Sequence, residues 1–107
     1  MTTKIIRATK EDETLIRKYF SNVHRREFQG RGEGLEVKAS VVSLVFFPPG
    51  TAHDLFWSYW HCEDGNASLT RTPPKFRGCG ASLDHCIQIV LCHIEDMVAL
   101  SKCLKKN

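Results

Sequence analysis

The residues of this chain whose types and spacing could do chemistry together lie in Pro74-Lys75-Phe76-Arg77-Gly78-Cys79-Gly80-Ala81-Ser82-Leu83. Two glycines and small residues placed just before a helix let several backbone N–H groups converge on one point, where the positive end of the helix dipole adds to the field. Such a cradle binds phosphate. The competing reading is an ordinary turn between a strand and a helix, because a glycine pair alone is a common motif. A second group of reactive types is His61-Cys62, Cys79, His85-Cys86 and Cys92-His93, all of which are zinc-ligand side chains. Their spacing argues against a metal, since there is no Cys-x2-Cys pair and Cys86 and His93 stand seven residues apart. No metal is assigned, and the five cysteines are read as small packing residues with no local sequence that marks one as an activated nucleophile. Phe56, Trp57, Tyr59 and Trp60 could present a stacking or partner-binding surface, or pack one face of a strand into a core.

The elements that position these residues read as an α+β fold. Thr9 followed by Asp12 resembles a capping box, and Leu15, Ile16, Tyr19, Phe20 and Val23 recur at helical spacing, so a helix is expected over residues 9–27. Acids in its first turn and His24, Arg25 and Arg26 in its last suit the helix dipole. Gly30, Gly32 and Gly34 break it. Alternation from Leu35 to Val41 then predicts a strand, but from Val41 the apolar phase switches, read as a bulge or as burial on both faces. After Pro48-Pro49-Gly50, residues 55–62 return as an aromatic strand, and residues 67–72 give a weaker one stopped by Pro73-Pro74. Finally, Leu83, Cys86, Ile87, Val90, Leu91, Ile94, Met97, Val98 and Leu104 form an apolar stripe on one long helix capped by Ser82. The expectation is a short antiparallel sheet of three to four strands, with the N-terminal helix and the long C-terminal helix on one side of it.

The glycine stretch resembles motif A of the GCN5-related N-acetyltransferases, in which a strand leads through a Pro-x-aromatic-Arg-Gly-x-Gly-x-x-Leu loop into a helix. The opening Ile6-Arg7-Ala8-Thr9-Lys10-Glu11-Asp12 also looks like that family's start, and the two matches occur in the family's order over about residues 4–100. The resemblance implies acetyl-coenzyme A as cofactor, with Lys75, Phe76, Arg77, Gly78, Cys79, Gly80 and Ala81 around its pyrophosphate. It also implies acyl transfer to a small-molecule or protein amine, with His61 or Glu63 as the base. The chain departs from the pattern at Lys75, where Gln or Arg is usual, and in lacking an acidic residue over 67–72. It also lacks the strand and the tyrosine-bearing helix that follow in the family. The alternative is a non-catalytic interaction module that uses its sheet edge and aromatic strand to recruit another protein or a second copy of itself.

Composition bounds these readings. At 107 residues the chain has the size of one domain, and 42% hydrophobic with 25% charged residues is ordinary for a globular protein. The charged N-terminus lacks the ~7–15-residue apolar stretch of a signal peptide, and no run reaches the ~18 apolar residues of a membrane span. These features predict a cytoplasmic protein with free thiols and no membrane partner. A net charge of +3 is too mild to argue for nucleic acid.

Overall fold

In the computed structural model, which describes residues 7–28, 32–39, 42–51, 53, 55–62 and 76–105, Thr9 opens helix α1 (Lys10–Tyr19) through a complete capping box. The Asp12 N–H donates to Thr9 Oγ1 at 3.2 Å, and the Thr9 N–H donates to Asp12 Oδ2 at 2.7 Å. The helix ends eight residues earlier than its apolar spacing predicts. Phe20 is extended, and Asn22 takes φ 60°, a left-handed conformation that asparagine tolerates better than most residues. The chain then runs out as β1 (Val23–Phe28), so His24, Arg25 and Arg26 lie on a strand and not in a last helical turn.

Gly32 and Gly34, expected in a loop, belong to strand β2 (Gly32–Ala39), and β3 (Val42–Phe47) pairs with it with Ala39 opposite Val42. That register leaves two residues between the strands. The switch of apolar phase near Val41 is therefore a hairpin, which puts one more strand in this region than the bulge reading did. Gly34 is required by packing, because a Cβ there would sit 2.6 Å from Val45 Cγ1 and 3.0 Å from the Phe47 ring. Strand β4 (Trp57–Cys62) falls within the expected aromatic stretch. The weak strand at 67–72 lies outside the described residues. A strand unforeseen in the sequence, β5 (Phe76–Gly80), completes a five-stranded antiparallel sheet in the order β1-β2-β3-β4-β5.

Ser82 caps helix α2 (Leu83–His93), its hydroxyl accepting the His85 N–H. The expected single long helix is instead broken after His93 into a 3₁₀ turn (Ile94–Asp96) and a short helix α3 (Val98–Ser101), with Met97 outside helical space at φ −104°, ψ 64°. The break turns the chain back so that Leu104 bridges to Phe20. On one face of the sheet, Leu35, Val37, Leu44, Phe46 and Tyr59 pack with Ile16 and Phe20 and with Leu83, Ile87, Val90, Met97 and Leu100. The opposite face gathers Phe28, Val45, Phe47 and Trp60, with the Phe47 ring edge-on to Phe28 at 5.2 Å and to Trp60 at 6.4 Å. Among the described residues no helix is long and apolar enough to cross a membrane.

Candidate functional site

The stretch singled out by its glycines sits at the β4–β5 edge of the sheet, and its local conformation differs from a phosphate cradle. Phe76–Gly80 is extended and pairs with β4, Gly78 opposite Tyr59 and Gly80 opposite Trp57. Successive N–H groups of a strand point to opposite sides, so these residues do not converge their amides on one point. The donors that follow are engaged locally. The Ala81 N–H donates to His85 Nδ1 at 3.3 Å, the His85 N–H to Ser82 Oγ at 3.1 Å, and the Cys86 N–H to the Ser82 carbonyl at 3.1 Å.

Each glycine has a packing reason to lack a side chain. A Cβ on Gly78 would lie 2.7 Å from Tyr59 Oη and 2.8 Å from Tyr59 Cζ, inside any normal contact. A Cβ on Gly80 would lie 3.0 Å from the Cys86 backbone nitrogen at the start of α2. Gly78 thus admits the tyrosine ring under the edge strand, and Gly80 lets the helix start close against it. Burial pushes the Tyr59 phenol above its ordinary range, and the Cys86 and Cys79 charges push the same way. Burial likewise pushes the Cys86 thiol up to about 11, and its Sγ donates to the Trp57 carbonyl at 3.3 Å. A buried, protonated thiol is a poor nucleophile.

The other sequence-predicted site residues divide plainly. His61 is buried in β4, opposite Leu44 on one side and Phe76 on the other, so it lies at the head of β5 on the helix-covered face of the sheet. Arg77, Cys79 and Ala81 are exposed. Glu63 and Lys75 lie outside the described residues. No group of three or more metal-ligating side chains occurs among the described residues.

The expected sheet edge falls here among the described residues, on a strand that the sequence did not reveal, with an exposed aromatic beside it, and the exposure of Leu55 is new. Among the described residues, no strand pairs with the outer side of β5. Beside its Gly80 end, just before β4, Leu55 is 74% exposed and Phe56 is exposed as well. They are held there by a built turn, because His53 Nδ1 accepts both the Leu55 N–H at 3.1 Å and the Phe56 N–H at 3.2 Å, and the His53 ring stacks near Phe56 at 5.1 Å.

The far edge is different. On β1, Arg25 pairs with both Glu13 and Glu33, while His24 Nε2 and Arg26 Nη1 reach Glu36 at 2.6 Å and 3.0 Å. Glu36 is only 1% exposed and has both neighbours within hydrogen-bond distance, and Arg26 also lies over the Phe28 ring at 5.0 Å. The signal for this network was the i, i+2 spacing of His24 and Arg26, which puts both on one face of a strand but not of a helix. One sheet edge is thus dense in charge, whereas β5 carries a single charge, Arg77, and has apolar side chains beside it. No protein-family model, curated protein or solved structure matches the chain.

Proposed function

We propose that the chain is a protein-interaction module whose β5 edge adds a strand from a second copy of itself. The observation that supports this most is the contrast between the edges: β1 carries charge at Arg25, Arg26 and Glu27, the kind of guard that prevents strand addition, whereas β5 has one charge in five residues. An antiparallel pair centred on Gly78 sets Arg77 opposite Cys79 of the second copy, so no like charges meet. The exposed Leu55 and Phe56 beside Gly80 extend the strand contact with apolar area. Five strand residues and two side chains bury less than the ~1,200 Å² of a typical stable complex, so the association is weak and reversible.

Sedimentation velocity over a concentration series from micromolar to millimolar tests the reading. The wild-type protein should shift towards a dimer. Cys79→Lys, at an exposed position, sets Lys opposite Arg77 twice across the two-fold axis and should remain monomeric with an unchanged melting temperature. A monomer throughout, or a dimer indifferent to Cys79→Lys, counts against the proposal. The acetyltransferase-type reading keeps the capped helix after the glycines but has those glycines in the strand itself and not in a loop. It requires thermal stabilisation by millimolar coenzyme A, which self-association through β5 does not.

A further inference from the structure

Cations from the two ends of the chain meet on the outer side of α1. The Lys105 N–H donates to the Tyr19 carbonyl at 2.8 Å, and the Ser21 N–H donates to the Cys103 carbonyl at 2.7 Å. With the Phe20–Leu104 bridge, these contacts fix Lys105 beside the end of the helix. The result is an open depression of about 520 Å³ lined, among the described residues, by Thr14, Arg17, Lys18, Tyr19 and Lys105, that is, by three cations and two hydroxyls and no carboxylate. An adjoining depression shares Thr14 and Lys18 and adds Lys10, Glu11 and Leu15.

An acid one turn from a lysine or arginine on a helix can pair with it, and among the described residues neither Arg17 nor Lys18 makes such a pair. Glu13, one turn before Arg17, is held by Arg25, and Thr14 occupies that place before Lys18. Among the described residues, Arg17, Lys18 and Lys105 form no ion pair. The donors are also oriented. Arg17 Nη2 donates to the Val23 carbonyl at 3.0 Å, which fixes its guanidinium plane and leaves other N–H groups for a ligand. Gln88 Nε2 donates to the Tyr19 oxygen at 3.4 Å, so the phenol can turn its own hydrogen outward. Thr14 gives its hydroxyl hydrogen to the Lys10 carbonyl and serves only as a wall.

We infer that this depression binds a phosphate monoester, its dianion held by Arg17, Lys18, Lys105 and the Tyr19 hydroxyl, with room beside it for the organic part of the ligand. Three cations without an ion pair among the described residues, around one oriented phenol, favour a doubly charged group over a singly charged carboxylate.

Phenyl phosphate titrated into ¹⁵N-labelled protein at constant ionic strength is the test, with inorganic phosphate, acetate and a short single-stranded oligonucleotide as parallel arms. Saturable amide shifts confined to residues 14–19 and Lys105 are expected, with phenyl phosphate binding at least as tightly as inorganic phosphate and acetate not saturating. Lys18→Glu combined with Lys105→Glu should weaken binding by about tenfold or more with the spectrum otherwise folded, and Tyr19→Phe by a smaller factor. Shifts that never saturate, shifts centred on His24 to Arg26, affinity unchanged by the charge reversals, or tighter binding of the oligonucleotide would each overturn the assignment.

Discussion

Substituting Gly78 by alanine measures the packing reason for the glycine at the centre of β5. The added methyl carbon falls 2.7–2.8 Å from Oη, Cε1 and Cζ of Tyr59, against the ~3.5–4.0 Å of an ordinary contact, so the ring must retreat by about 0.8 Å. Tyr59 is buried in the helix-side core and has little room to do so. Forcing an extra methyl into a packed site costs about 1–3 kcal/mol. Against this, alanine in an extended backbone recovers about 0.4–1 kcal/mol by restricting the unfolded chain. The net loss is about 1–2 kcal/mol, which for a domain of this size lowers the melting temperature by roughly 5–15 °C. Thermal and urea unfolding of Gly78→Ala give the number. The same substitution made in a Tyr59→Leu background should be neutral or stabilising, for a coupling of about 1 kcal/mol or more. A Gly78→Ala protein as stable as wild type, or a loss identical in both backgrounds, would refute the close approach of ring and strand.

Glu36→Ala leaves His24 and Arg26 facing an apolar gap, and since both retain partial exposure the loss should be about 2 kcal/mol in urea unfolding; a change under about 0.5 kcal/mol contradicts the buried network. Alkaline stability follows from burial of Cys86. Its thiol is held up to about 11 in the folded state, so the unfolded chain releases its proton first, and the contribution of this group to stability is full below its unfolded range and is lost as pH rises towards 11. Tyr59 adds to the same decline, because its phenol is also raised. Cys86→Ala should flatten the melting temperature against pH between 9 and 11, and an unchanged slope contradicts that cause.

The parts of the fold written in local chemistry were legible. Thr9 and Ser82 both cap helices where their side chains predict, and the aromatic stretch at 57–62 is a strand. The errors came where one periodicity ran into another. Tyr19, Phe20 and Val23 keep helical spacing across a helix end that is set by Asn22 in the left-handed region and by the pairing of Val23 with Val37, neither visible along the sequence. The glycines at 32 and 34 read as breakers because their reason, room for Thr51 and for Val45 with Phe47, lies on other parts of the chain. Gly78 and Gly80 misled for the same cause. A glycine spared for a tyrosine ring across a ladder and one spared for a phosphate look identical in sequence. The charged network was hidden by the helix reading, which scattered His24 and Arg26 around a cylinder instead of aligning them on Glu36.

Amide hydrogen exchange followed by NMR across a protein concentration series tests residue by residue whether the outer side of β5 is a working edge. Strand addition predicts protection that grows with concentration at the alternate amides of residues 76–80 that point away from β4, with chemical-shift changes along 76–80 and at Leu55 and Phe56, while β1 stays constant, and the loss of all of these in Cys79→Lys. Exchange at β5 that is independent of concentration, or protection that grows instead along Val23–Phe28, would contradict it.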